Sequence, residues 1–117
     1  MTVIADSKTT PATVYIVGAG CGDRELLTLK AAKLIASADV ILYADSLVPK
    51  GILSDVRPDA ELIATGNKTL EEIVPVAIDR ARSQKTVVRL HSGDPSLYGA
   101  ISEQIAQLND ANIPFEI

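Results

Sequence analysis

At 117 residues the chain is long enough to bury one hydrophobic core and too short for two. Hydrophobic residues make up 47% and aromatics only 3%, so that core is built from Val, Ile, Leu and Ala, the composition of parallel strands covered by helices. The formal net charge of -4, with no basic block, excludes a surface that grips nucleic-acid phosphates. No apolar run approaches the roughly 20 residues that cross a bilayer, and the N-terminus has no signal pattern, so a cytoplasmic protein away from membranes is expected. The single cysteine, Cys21, leaves no internal disulfide and no thiolate-cluster metal site.

Residues 1–12 are polar, lack periodicity and read as a disordered arm. Strand-like and helical patterns then alternate: a strand over 14–17, a helix over 25–37, a strand over 40–43, a short helix over 49–56 and a strand over 61–64. The next helix, over 70–83, places Ile73, Val74, Ala77, Ile78 and Ala81 on one face, and Thr69 with Glu72 three residues later fits a capping box at its start. A strand over 86–90, a helix over 96–109, a turn at Asn112-Ile113-Pro114 and a strand over 115–117 complete the series. Repeated strand-helix-strand units require right-handed crossovers. They define an α/β fold over residues 13–117, a five-stranded parallel, Rossmann-like sheet with helices on both faces. The last strand is apolar and nothing follows to cover it, so the chain is expected to be part of a longer polypeptide.

In such a sheet, ligands lie outside the carboxyl ends of the strands. Four loops should emerge there: 18–23, 44–49, 65–68 and 92–99. The first, Gly18-Ala19-Gly20-Cys21-Gly22-Asp23, follows a strand and opens a helix, yet the sixth position of G-x-G-x-x-G is Asp23, an anion where a pyrophosphate would sit. No Gly-Lys-Ser/Thr follows, so a P-loop is also excluded. Asp23 offsets the helix dipole or takes part in chemistry; Cys21 is a small filler or an activated thiol. Asp45, about 20 residues past the glycine loop, stands where a dinucleotide domain holds ribose, and it equally suits a turn. His91, the only histidine, is a base or a hydrogen-bonding group at the sheet edge. In Ser92-Gly93-Asp94-Pro95, Gly93 permits close backbone approach, Pro95 presets a helical φ and Asp94 can cap the helix. A cap leaves Tyr98-Gly99 unexplained.

Two segments resemble the signatures of the tetrapyrrole methylases, which use S-adenosylmethionine: Val14-Tyr15-Ile16-Val17-Gly18-Ala19-Gly20-Cys21-Gly22-Asp23 with the following Glu25-Leu26-Leu27-Thr28-Leu29, and Arg89 through Gly99 with its Gly-Asp-Pro loop. Cys21 stands where the family pattern has Pro. Within the family, the stretches at 43–49 and 90–101 are most similar to enzymes that methylate precorrin-4 at C11 in cobalamin biosynthesis. The resemblance covers 13–117 and matches the first of the family's two domains. It implies that Cys21, Ser92, Gly93, Asp94 and Leu97 hold S-adenosylmethionine, largely through backbone contacts, and that Gly20, Gly22, Asp23 and Tyr98 line the substrate cleft. It also implies that Asp45 aligns with a proton acceptor, and that the whole enzyme is a homodimer acting on a precorrin. An electron-rich ring carbon would displace the sulfonium methyl, a reaction that asks the protein chiefly for alignment and exclusion of water.

Two other readings remain open on the residues alone. Gly18, Gly20 and Asp45 suit a nucleotide-binding oxidoreductase domain, and the apolar edge at 115–117 suits an assembly module.

Overall fold

Short runs of β-branched and aliphatic residues form β1 (Val14–Gly18), β2 (Val40–Tyr43), β3 (Glu61–Ala64), β4 (Val87–His91) and β5 (Phe115–Glu116). Among the described residues three helices lie between them: α1 (Leu29–Ser37), α2 (Leu70–Arg82) and α3 (Ala100–Asp110). The computed structural model describes residues 11–18, 27–44, 51–66, 68–91 and 100–117. Residues 1–10 of the expected arm lie outside that set, while the Ala12 N–H donates to the Ala81 carbonyl at 2.9 Å.

The bounds of β2 and β3 are those expected from the sequence, those of β1, α2 and β5 agree within one residue, and larger or shifted differences elsewhere have local reasons. Thr28 takes extended backbone and its Oγ1 accepts the Ala31 N–H at 3.0 Å, so α1 starts at Leu29 rather than at residue 25. Residues 51–55 form successive turns instead of a helix: Gly51 sits at φ 77°, in the left-handed region, and the Ser54 N–H reaches back only to the Gly51 carbonyl. β4 is displaced by one residue because the Thr86 N–H is taken by Asp39 Oδ2 at 2.8 Å, while at the far end His91 pairs with Gly18. The capping-box glutamate of α2 is in place, with Glu72 Oε1 accepting from the Thr69 N–H at 3.3 Å. The turn before β5 forms at Asn112, whose φ is 58°.

All pairings are parallel and the strand order is β3-β2-β4-β1-β5. Side chains alternate between two apolar layers. Val14, Ile16, Val40, Leu42 and Val87 meet Ile73, Ala77 and Ala81 of α2 and Leu108 of α3. On the other face Ile41, Val88 and Leu90 meet Ile35 of α1 and Ile52 of the turn region. Helices therefore cover both faces, and among the described residues no aromatic belongs to the fully buried set.

Candidate active site at the carboxyl edge of β4

The strand order localises the site. The connection from β1 to β2 runs over the α1 face, and so does that from β2 to β3, through Ile52, Leu53 and Val56. The connection leaving β4 runs over the opposite face, where α3 lies with α2. The element that follows β4 thus lies on one face, while those that follow both neighbouring strands lie on the other. Such a divergence marks the switch point outside which open α/β sheets bind their ligands.

The same order removes the dinucleotide reading. In a dinucleotide domain β1 and β2 are neighbours, so the glycine loop and the ribose-binding acid sit side by side. Here β4 intervenes, which puts the ends of β1 and β2 two strand spacings, about 10 Å, apart.

Gly18, Ala44, Thr65 and His91 are the described residues where the strands end. Cys21, Ser92, Gly93, Asp94 and Leu97, expected to hold the cofactor, lie outside the described residues, as do Gly20, Gly22, Asp23 and Tyr98 of the expected cleft and Asp45, the expected proton acceptor. His91 is described, and Ser92 follows it directly in the chain. Thr65 ties the β3 end to β2, since its N–H and its Oγ1 both donate to the Tyr43 carbonyl at 3.0 Å. Among the described residues no three His, Cys, Asp or Glu side chains gather to hold a metal ion.

Arg89 and His91 fall on the α2/α3 face by strand alternation with Val87, with Arg89 between Ile16 and Leu42 of the flanking strands and His91 beside Gly18. The His91 imidazole is held neutral: burial first, and the Arg89 charge second, push its pKa down from 6.5 to about 4. An unprotonated His91 Nε2 accepts from the amide Nε2 of Gln104 at 3.4 Å. Gln104, on α3, is only 3% exposed. Arg89 is 9% exposed, and burial lowers its pKa. Its Nη1 donates to the Leu90 carbonyl at 3.2 Å, while its Nε is buried without a hydrogen-bond partner. The sequence reading missed Arg89 and Gln104. The available signal was a charged residue inside Val87-Val88-Arg89-Leu90, a strand otherwise apolar on both faces.

The amino edge differs in charge. Asp39 accepts from the Thr86 N–H and from Arg57 Nη1 at 2.7 Å, and these contacts, the backbone one first, hold its carboxyl below the usual range. Arg80 grips Glu61 through Nε at 2.8 Å and Nη2 at 3.0 Å. These ion pairs link β2, β3, β4 and α2 far from the switch point, and their role is structural.

The family profile of the Tetrapyrrole (Corrin/Porphyrin) Methylases matches residues 13–117. Over 104 residues the chain is 48% identical to a cobalt-precorrin-4 C(11)-methyltransferase of Priestia megaterium, covering 89% of this chain and 40% of that protein. The structure of a cobalamin biosynthetic enzyme, cobalt precorrin-4 methyltransferase, superposes with a TM-score of 0.83 at 46% identity, over 95% of this chain and 45% of that one. A uroporphyrin-III C-methyl transferase from Thermus thermophilus, complexed with S-adenyl homocysteine, gives 0.75 at 39% identity, over 91% and 47%. The chain thus spans less than half the length of these relatives. With five parallel strands, helices on both faces and the profile matched over nearly its whole length, the chain belongs to the tetrapyrrole methylase family.

Proposed function

We propose that the chain is the cofactor-binding half of an S-adenosylmethionine-dependent methyltransferase that acts at C11 of a precorrin-4 macrocycle in cobalamin biosynthesis. The observation that carries this reading is the switch point at the carboxyl edge of β4 in a chain 48% identical to a cobalt-precorrin-4 C(11)-methyltransferase. The described residues there suit a polar small molecule. Gly18 brings no side chain beside His91, and His91 and Gln104 bring hydrogen-bonding groups without charge. S-adenosylmethionine, when bound, supplies an electrophilic methyl group to an electron-rich ring carbon. The protein's share is alignment and exclusion of water, an effect worth up to about 7–11 kcal/mol, and it needs few reactive side chains.

In this reading Cys21, Ser92, Gly93, Asp94 and Leu97 hold the cofactor, Gly20, Gly22, Asp23 and Tyr98 line the substrate cleft, and Asp45 takes the proton. Residues 13–117 act as the first of two domains in a cytoplasmic homodimer. The net charge of -4 speaks against a nucleic-acid partner. Among the described residues no helix is long and apolar enough to cross a membrane. The test is methyl transfer to precorrin-4 from methyl-labelled S-adenosylmethionine, with the chain alone and with the remaining length of the Priestia megaterium relative added as a separate polypeptide. Label in the macrocycle, dependent on this chain, supports the assignment. No label in either mixture, together with no binding of S-adenosylhomocysteine, overturns it.

A further inference from the structure

We propose that Arg89 is a carboxylate-binding position at the carboxyl edge of β4, and that the carboxylate belongs to a bound small molecule rather than to the fold. The hydrogen bond from Nη1 to the Leu90 carbonyl sets the guanidinium level with the last peptide of the strand, although the stem leaves the chain one residue earlier. The head thus faces the carboxyl end of β4 and not its amino end. Its described neighbours carry no negative charge: Ile16 and Leu42 are apolar and His91, bonded to the Gln104 amide, is neutral.

The contrast with the ion-paired arginines is informative. Arg57 holds Asp39 and Asp59, and Arg80 holds Glu61 and Asp79, although both are far more exposed than Arg89. Arg89, with only 9% of its surface exposed, has no carboxylate among the described residues and a buried Nε with no partner. A guanidinium cannot escape burial by losing its proton, and an uncompensated buried charge strongly destabilises a fold. Its planar fork is matched to a carboxylate, with two parallel N–H donors for two oxygens. Gly18, in register with His91 on the adjoining strand, brings no side chain to this edge.

The nature of the ligand rests on the methylase reading, whereas the existence of the site does not. Two ligand carboxylates fit: the amino-acid carboxylate of the methyl donor, and the acidic side chains at the rim of a tetrapyrrole.

Thermal unfolding of the 117-residue chain in sodium propionate and in sodium chloride, at equal ionic strength, tests the site itself. Propionate is expected to raise the melting temperature of the wild type. Arg89→Met is expected to abolish that response and to be no less stable than wild type in chloride, since it removes an unpaired charge. No propionate effect on the wild type, or an equal effect on Arg89→Met, overturns the proposal. Should Arg89→Met fail to fold, Arg89→Lys serves, since it keeps charge without the fork. A response cut to half or less supports the proposal, and an unchanged one overturns it. Titrations with S-adenosylhomocysteine and with uroporphyrin identify the source: Arg89→Met, or Arg89→Lys in its place, weakens the true one about tenfold or more. Weakening of neither overturns a ligand origin for the carboxylate. A propionate response with no binding of either ligand preserves the carboxylate site and rejects the methylase reading.

Discussion

Mild acid destabilises this chain through His91. Burial first, and the Arg89 guanidinium second, keep the imidazole neutral down to about pH 4 in the folded state, against an unfolded value of 6.5. Between those two values the unfolded chain binds a proton that the folded chain does not. Stability therefore falls as pH falls through the window, and is flat above it. If burial acted in full, the two protonation states would differ by about 3 kcal/mol, of which about 2 kcal/mol would be lost by about pH 5. His91 is partly exposed, and solvent screening reduces that figure to about 1 kcal/mol. Asp39 and Glu61 have depressed pKa values, so their stabilisation disappears only as pH falls below the ordinary carboxylate range near ~4. His91 is the only histidine, so urea unfolding of wild type and His91→Gln between about pH 7 and about pH 5 isolates it. Wild type should lose about 1 kcal/mol more than His91→Gln over that interval. Equal losses in the two proteins would refute the reasoning.

Pro75 lies inside α2 with an exposed side chain and cannot donate a helical hydrogen bond, so Pro75→Ala should stabilise the chain by about 1–3 kcal/mol, seen as a higher urea midpoint at unchanged slope. Leu90 is fully buried between α1 and the turn region, and Leu90→Ala should cost about 2–5 kcal/mol by the same measurement. Asp39→Ala removes the acceptor of the Thr86 N–H and the Arg57 partner, and should cost about 2 kcal/mol. Asp39→Asn keeps an acceptor for Thr86 and should cost less than half of that. Equal costs for the two substitutions would mean that the charge, and not the backbone hydrogen bond, stabilises this edge.

The strands were legible in the sequence because Val40 to Tyr43 and Glu61 to Ala64 are short apolar runs bounded by turn residues, a purely local signal. The start of α1 was legible too in the wrong place: periodicity reaches back to residue 25, but Thr28 offers a cap one residue before Leu29, and the cap prevails. At residues 49–56 an apolar spacing suggested a helix, whereas Gly51 in the left-handed region turns the chain. The strand order was not legible, since insertion of β4 between β1 and β2 depends on pairings across the whole chain. That insertion is what excludes the dinucleotide alternative and puts the switch point at β4. The glycine loop and the Ser92-Gly93-Asp94-Pro95 loop were readable as family signatures. The Arg89 charge was visible in the sequence, but its isolation from any described carboxylate required the neighbours on β1, β2 and α3.

The central claim, that the carboxyl edge around β4 receives the methyl donor, is tested most directly by amide chemical shifts during titration of the isotope-labelled chain with S-adenosylhomocysteine, which detects even weak binding. Shifts are expected at Gly18, Thr65, His91 and Gln104, with Asp39, Arg57 and Glu61 at the amino edge unmoved. Shifts centred on the amino edge, or none at saturating ligand, would contradict the account.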